Sequence, residues 1–168
     1  NPLYNNLSQT LNDCTVYPDW QGVTTMRADG MIGLRNYYAP LGAYSMLYSP
    51  IYMTRSESAP GKVTVRITAM RDADCSEATL IGVACVDADN QDTNVEWQQS
   101  QVTDIMQEYT FTFDAYKNYY IAIAYSDENN TGYTGQGTVW IDGINISQEM
   151  SAGDIFSRMH SCDVVFSG

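Results

Sequence analysis

The chain has 168 residues, enough for one domain with a single hydrophobic core. Eight Lys and Arg residues against 20 Asp and Glu residues give a formal net charge of -12, which argues against binding to nucleic-acid phosphates or anionic lipid headgroups. No apolar run approaches the roughly 18 residues that a membrane-crossing helix needs. We therefore expect no nucleic-acid partner and no membrane insertion.

Strand signals begin in the opening stretch of the chain, which we predict to contribute a strand. The same stretch places Leu3, Leu7 and Leu11 at four-residue spacing, which suits the apolar face of a short helix. Further strands are predicted at "MIGLRNY" (31–37) and "SMLYSPIYM" (45–53), because β-branched, aromatic and long apolar residues lie between turn-forming clusters.

The clearest signal along the chain is alternation of apolar and polar residues, which is typical of half-buried strands. It is strongest in "KVTVRITAM" (62–70), where Val63, Val65, Ile67 and Ala69 share one face. "LIGVACVD" (80–87) and "NVEWQQS" (94–100) are predicted as strands as well. "EYTFTFD" (108–114) and "NYYIAIAYS" (118–126) are predicted to be antiparallel neighbours joined by the turn at 114–118.

The stretch "VWIDGINIS" (139–147) places a carboxylate inside an apolar strand. Its apolar residues change parity, since Val139 and Ile141 are odd-numbered and Ile144 and Ile146 even-numbered. Either the strand is central with both faces covered, or a bulge at Asp142 and Gly143 redirects the chain. Because a buried carboxylate is costly without a partner, Asp142 either points out of the core or has a dedicated partner.

About nine short strands separated by Gly, Asn, Asp and Pro clusters predict an all-β fold, an antiparallel sandwich of two sheets. We expect one domain over 1–168, with a core at about 12–147 and a C-terminal extension, 148–168, packed on it. In that extension "SAGDIFSRM" (151–159) suggests a short helix and "DVVFSG" (163–168) a weak strand. Minor helical segments are thus expected at both termini.

The four cysteines, Cys14, Cys75, Cys85 and Cys162, form no CxxC pair, and a zinc site is not expected from them. Of the three possible pairings we favour Cys14–Cys162 with Cys75–Cys85, which closes the chain ends and one local segment. The alternative is that Cys75 and Cys85 are free thiols, with Cys85 buried in its strand. The low lysine content and the 13 tyrosines favour an extracellular or cell-surface location.

No motif of a serine hydrolase, zinc protease or nucleotide-binding enzyme occurs in the sequence, so we expect a protein that is not an enzyme. Three loops combine aromatic rings with hydrogen-bonding side chains, the mixture that sugar recognition uses. The candidate ligand-binding residues are Arg35, Tyr37, Tyr38, Trp97, Asn130 and Tyr133. The alternative is that these aromatic residues cap the rim of the core with their polar ends in water.

Two functions follow from this material. The first is a non-catalytic carbohydrate-binding module of a secreted or surface protein, with a glycan or polysaccharide as partner. The second is an adhesin-like or structural spacer domain that contacts a surface protein. Exposed aromatic residues in neighbouring loops would favour the first, and a contiguous apolar patch the second.

Five stretches in order, "NDCTVYPDWQG", "DGMIGLRNY", "YSPIYM", "YYIAIAYS" and "VWIDGINIS", resemble jelly-roll modules of bacterial secreted proteins. These are the galactose-binding-like and cleaved-adhesin groups, which include many carbohydrate-binding modules. The resemblance covers about 12–147 and implies a structural calcium ion. It matches Asp142 to the acidic residue of the closing strand and Asp13 to the one near the first strand. The family's aromatic-acid pair at the first strand is replaced here by Asn12 and Asp13.

Overall fold

The alternating segments form strands in the computed structural model, which describes residues 4–6, 9–10, 21–23, 26–39, 44–53, 61–90, 95–129 and 137–149. Within these ranges every regular element is a strand, and no helix is long and apolar enough to cross a membrane. The strands are β1 Tyr4–Asn6, β2 Gln9–Thr10, β3 Gln21–Val23, β4 Met26–Ala28, β5 Met31–Arg35, β6 Met46–Tyr48, β7 Tyr52–Met53, β8 Lys62–Arg71, β9 Leu80–Asp87, β10 Gln98–Gln101, β11 Gln107–Asp114, β12 Asn118–Ser126 and β13 Thr138–Glu149.

The first sheet is built around β13, its longest strand. The order is β11-β8-β13-β5-β4, and every pairing is antiparallel. One edge of β13 pairs with β8, and the other edge is shared in succession by β5, β2 and β1. The last strand of the described chain therefore holds segments from its beginning and its middle.

The second sheet has the order β10-β9-β12-β6-β3, also antiparallel, with β7 on the same edge of β12 as β6. Its long central pair is β9 with β12, which are in register from Tyr119 opposite Asp87 to Ser126 opposite Leu80. This pair carries the candidate site described below.

The core lies between the inner faces of the two sheets. Each long strand contributes alternate residues to it, such as Val63, Val65 and Ile67 of β8, all without exposed surface. Burying a side chain of this size stabilises the fold by roughly 1.5–3 kcal/mol. Two buried tyrosines keep their hydroxyls satisfied. Tyr119 donates a hydrogen bond of 2.6 Å to Gln148, and the Tyr125 hydroxyl donates to a main-chain carbonyl.

The predicted pairing of 108–114 with 118–126 is wrong. β11 is an edge strand of the first sheet and pairs with β8, whereas β12 lies in the centre of the second sheet. Both strands point apolar side chains into the core, for example Phe111 and Ile121. They therefore face one another across the core instead of sharing hydrogen bonds. The short connection between them crosses from sheet to sheet, and its Ala115 N–H is held by the Gly61 carbonyl at 3.0 Å.

Three other segments differ in detail from the predictions. In the described residues of the opening stretch, 4–6 and 9–10, the chain forms β1 and β2, so the helix expected from the leucine spacing is wrong there. Both strands pair with β13, and this pairing overrides the local sequence pattern. "SMLYSPIYM" is two strands, β6 and β7, interrupted around Pro50, which has no N–H to donate to a ladder. "NVEWQQS" is a strand only from Gln98. The predicted helix at 151–159 and strand at 163–168 lie outside the described residues.

The carboxylate in "VWIDGINIS" is explained by a bulge. The register of β13 against β8 shifts between Ile141 and Gly143, which leaves Asp142 as the extra residue. Its side chain is exposed, while Ile141 and Ile144 on either side are buried. The change of apolar parity is thus explained by a β-bulge. The strand is central, but its outer face is not covered at Asp142.

The predicted disulfide between Cys75 and Cys85 is wrong, since both are free, buried thiols. Cys75 lies in the turn before β9, and Cys85 lies five residues after the first residue of that strand, roughly 17 Å further along it. A disulfide needs Cα atoms within about 7 Å. Burial raises the pKa of both thiols to about 12. Cys14 and Cys162 lie outside the described residues, and their bridge stays a prediction.

Candidate functional site

The floor of the candidate site consists of small residues on the outer face of the second sheet. Alternation along β9 and β12 sends large apolar side chains into the core and leaves Gly82, Ala84, Ala122 and Ala124 on the outer face. Register places Ala124 opposite Gly82 and Ala122 opposite Ala84. Tyr48, Val95 and Tyr120 pack over Ala84 and Ala122, whereas the small side chains at 82 and 124 leave a depression in the outer face.

A cleft of about 350 Å³ opens over Gly82 and Ala124, near the lower end of the roughly 300–1,000 Å³ typical of ligand sites. Its walls are three aromatic residues from two segments that are far apart in sequence. Trp97 comes from the segment before β10, and Tyr37 and Tyr38 come from the loop after β5. All three are partly exposed, at 38%, 52% and 41% respectively. The remaining lining residues are Met46, Gln99, Tyr125 and Ser126.

Trp97 lies against the sheet because residue 82 is glycine. A β-carbon at that position would come within 3.2 Å of Cε3 of the Trp97 ring, closer than an ordinary van der Waals contact. Glycine inside a strand often marks a close approach of this kind. The position of the indole therefore depends on the missing side chain below it.

The loop that carries the two tyrosines is fastened to the end of β12 by a buried asparagine. The Asn36 side-chain amide donates to the Asp127 carbonyl at 2.8 Å. Its oxygen accepts from the Asp127 N–H at 2.9 Å and the Tyr38 N–H at 3.1 Å. The Tyr37 N–H donates to the Tyr125 carbonyl at 2.9 Å. These bonds fix the loop backbone relative to the cleft floor.

The carboxylate of Asp127 is buried and anchors the turn before β9. It accepts hydrogen bonds from the Ser76 N–H at 2.8 Å, the Ser76 hydroxyl at 2.6 Å, the Thr79 hydroxyl at 3.1 Å and the Asn129 N–H at 3.2 Å. Burial by itself would raise the pKa of Asp127. The hydrogen bonds donated by Ser76, Thr79 and Asn129 outweigh burial and lower that pKa below its usual value.

At the rim of the cleft Tyr38 is paired with an acidic residue. Its hydroxyl donates a hydrogen bond of 3.0 Å to a carboxylate oxygen of Glu128. This hydrogen bond and the negative charge of Glu128 raise the pKa of Tyr38. The Tyr37 and Tyr38 rings pack edge to face, with centroids 5.6 Å apart. The two rings therefore support each other while their outer surfaces stay exposed.

Several polar groups of the cleft are not used by the fold. Among the residues that the structure describes, no hydrogen bond satisfies the indole N–H of Trp97, the carboxamide of Gln99, the Tyr37 hydroxyl or the Ser126 hydroxyl. The cleft thus presents donors and acceptors beside aromatic faces. This combination suits a ligand that has apolar patches and many hydroxyl groups.

The residues predicted from sequence are placed as follows. Tyr37, Tyr38 and Trp97 line one cleft, although Trp97 is 59 positions from Tyr38 and 60 from Tyr37 in the chain. Arg35 ends β5 in the first sheet and does not line the cleft. Asn130 and Tyr133 lie outside the described residues. The roles proposed for all of them stay predictions.

Sequence reasoning missed the floor, Gly82 and Ala124, and the polar side chains of Gln99 and Ser126. A signal for the floor was present: small residues alternate with large ones in both "LIGVACVD" and "NYYIAIAYS". Two such strands side by side predict a depression on the face opposite the core. The sequence does not show that β9 and β12 are neighbours, and without that pairing the depression could not be predicted.

The calcium site implied by the resemblance stays a prediction. Asp142 is exposed on the bulge of β13, and Asp13 lies outside the described residues. Within the described part of the chain no three His, Cys, Asp or Glu side chains form a group that could hold a metal ion. Since calcium prefers six to eight oxygen ligands, Asp142 would supply one carboxylate and the remainder would come from other segments.

No protein-family model and no curated protein sequence matches the chain. Solved structures do match it. A family 29 carbohydrate-binding module mutant in complex with cellohexaose aligns with a TM-score of 0.56 at 10% identity, covering 89% of this chain and 95% of that one. A family 4 carbohydrate-binding module aligns with a TM-score of 0.52 at 13% identity, covering 79% and 96%.

A family two carbohydrate esterase from Cellvibrio japonicus aligns with a TM-score of 0.51 at 10% identity, over 89% of this chain and 36% of the esterase. The chain thus spans about a third of that enzyme's length. At these identities the likeness concerns the fold. The chain has the jelly-roll β-sandwich fold of carbohydrate-binding modules, as the resemblance in its sequence predicted.

Proposed function

We propose that the chain is a non-catalytic carbohydrate-binding module, whose cleft binds a short segment of a glycan. One observation carries the proposal. Three exposed aromatic side chains, Tyr37, Tyr38 and Trp97, converge over a floor of glycine and alanine on one face of the sandwich. The fold shared with carbohydrate-binding modules supports it.

The chemistry of the cleft suits a sugar ring. A pyranose has an apolar face of C–H groups, which stacks on an aromatic ring, and an edge of hydroxyls, which need hydrogen-bond partners. Trp97, Tyr37 and Tyr38 offer the rings, and Gln99 and Ser126 offer unused polar groups. Because a cleft of this size desolvates little surface, we expect dissociation constants of about micromolar or weaker.

The residues that line the cleft support a role in binding rather than in catalysis. A glycoside hydrolase needs two carboxyl groups about 5 to 10 Å apart across the scissile bond. The described lining residues include no Asp, Glu, His or Cys. The carboxylate of Glu128 is at the rim, where it accepts a hydrogen bond from Tyr38.

The proposed setting is a secreted or cell-surface protein, of which this module would be a part. Support comes from composition: Lys and Arg together number 8, against 13 tyrosines. The alternative function, an adhesin-like or spacer domain, is the reading to adopt if no glycan binds.

The test is titration of the purified chain against a glycan array and soluble plant and host polysaccharides, followed by Trp97→Ala. We expect Trp97→Ala to weaken binding about tenfold or more, because a stacking contact worth roughly 0.5–1.5 kcal/mol is lost together with its buried area. The melting temperature should change little, since the ring is partly exposed.

Tyr116→Ala is the matched control, because Tyr116 is a similarly exposed aromatic residue, at 43%, that does not line the cleft. It should leave affinity unchanged. Absence of binding to the whole panel, or equal losses in both variants, would contradict the proposal.

A further inference from the structure

The charge near the described lining of the cleft is negative. All nine lining residues are uncharged, and the described structure shows a carboxylate, that of Glu128, hydrogen-bonded to the side chain of one of them, Tyr38. The whole chain carries a formal charge of -12. A ligand entering the cleft therefore meets negative potential without a compensating cation on the described lining.

Three cationic side chains of the described chain contact groups away from the cleft lining. Lys62 forms an ion pair with Asp114 at the edge of the first sheet. Arg66, on β8 of the same sheet, lies 4.0 Å from Glu108. The Arg71 side chain donates to the Val102 carbonyl at 3.1 Å. None of these side chains lines the cleft.

We propose that Glu128 makes the cleft select neutral glycans and reject acidic ones, such as chains of uronic acids. This inference rests on the proposed function and adds a substrate class and a specificity-determining residue. The hydrogen bond from Tyr38 holds the carboxylate at the rim. A sugar stacked on the Tyr38 ring would place any carboxylate of its own within several ångströms of that charge.

The expected size of the effect follows from Coulomb's law. Two like charges about 6 Å apart in water repel enough to change an affinity about threefold, and nearby protein of lower polarity increases the repulsion. The rest of the negative charge adds to it at low ionic strength. Since Glu128 is exposed, its contribution should fall when the Debye length shrinks to about 3 Å in about 1 M salt.

The experiment compares ligand pairs that differ only in charge. The neutral probes are cellohexaose and β-1,4-mannohexaose, and their acidic counterparts are the β-1,4-glucuronate and β-1,4-mannuronate hexamers. Affinities are measured at low and at high salt for the native chain, for Glu128→Gln and for Glu108→Gln. Glutamine at 128 removes the charge but keeps an oxygen that can accept the Tyr38 hydrogen bond. Glu108→Gln removes the same charge from the outer face of the first sheet.

For the native chain at low salt we expect each neutral hexamer to bind about tenfold or more tightly than its acidic counterpart. Glu128→Gln should narrow that preference about threefold, because removing the charge improves uronate binding more than it changes neutral binding. Glu108→Gln should leave the preference unchanged. High salt should remove the difference between Glu128→Gln and the native chain.

Equal binding of neutral and acidic hexamers by the native chain would overturn the inference and leave the proposed function standing. So would a preference that Glu128→Gln does not alter, or that both variants alter equally. Failure of all four hexamers and of the wider glycan panel to bind would overturn both proposals.

Discussion

In the described part of the chain two tryptophan rings lie against glycine, one on each sheet. Trp97 rests on Gly82 beside the cleft, and Trp140 rests on Gly33, where a β-carbon would come within 2.8 Å of its ring. In both cases the absence of a side chain lets a large aromatic ring lie close to a strand. The glycines were visible in the sequence, but the rings above them come from distant segments and could not be assigned from it.

Gly82→Ala should weaken glycan binding several-fold while leaving stability nearly unchanged. The added methyl group would displace the Trp97 ring by a few tenths of an ångström or tilt it, and the ring is exposed enough to move. Calorimetric titration and a melting curve measure the two effects.

Gly33→Ala is the control on the other sheet. There the new methyl group would overlap both Trp140 and Thr138 at 2.8 Å, and overpacking of this kind costs about 1–3 kcal/mol. We expect lower stability and intact binding. Unchanged affinity in Gly82→Ala would show that the position of the Trp97 ring does not matter for the ligand.

Among the elements, the strands were predictable and their partners were not. Alternation shows which residues of a strand share a face, so β8, β11 and β12 were found with nearly the right limits. It does not say which strand lies alongside. β11 and β12 look like a hairpin in the sequence, yet their connection passes from one sheet to the other, since apolar residues on both strands are buried most fully when they face each other across the core.

In the candidate site, too, single residues could be predicted from the sequence, but the contacts between distant segments could not. Aromatic residues in turn-rich segments indicated Tyr37, Tyr38 and Trp97, because exposed aromatic side chains beside polar ones are an unusual local combination. The buried Asn36 and Asp127 were not found. Their role depends on the meeting of the loop after β5 with the end of β12, which is a property of the assembled sandwich.

Asp127→Asn should destabilise the fold by about 1–3 kcal/mol near neutral pH, because hydrogen bonds to a buried charged group are strong and their replacement is imperfect. The pKa of Asp127 is lowered in the folded state. The stabilisation it provides is therefore complete above its unfolded pKa of about 3.9 and is lost as pH falls through the folded value.

Denaturant titrations at pH 7 and at several values below 4 measure this contribution. The difference in unfolding free energy between the native chain and Asp127→Asn should shrink steadily in the acidic range. Asp104→Asn, at an exposed loop position, is the control and should show a small difference at every pH. A constant gap for Asp127→Asn would contradict a charge-dependent role.

On the scale of the whole molecule, the resemblance to jelly-roll modules correctly indicated the architecture, and the calcium ion that it implies stays a prediction. Asp142 lies on the bulge of β13, the central strand of the first sheet. If Asp13 and Asp142 share a calcium ion, that ion would connect the beginning and end of the sandwich, and its binding energy would contribute to folding.

A chelator should then lower the melting temperature of the native chain, and added calcium should restore it. Asp142→Ala should melt at the same temperature with and without chelator, because one carboxylate ligand is gone. Differential scanning calorimetry provides the measurement. A native melting temperature that changes with neither chelator nor calcium would contradict the calcium site, and Asp142 would then be explained as the exposed residue of the β-bulge.

The central position of β13 determines when the protein can fold. During synthesis β5 and β8 emerge long before residues 138–149, which separate them in the finished sheet. Until then the edges of β5 and β8 that later pair with β13 have unpaired N–H and C=O groups, and such edges can pair with strands of other chains. Pairings between such distant segments also slow folding, to milliseconds or seconds in comparable sandwiches. The nascent chain is therefore most vulnerable to aggregation before β13 emerges, and refolding yield should fall as protein concentration rises.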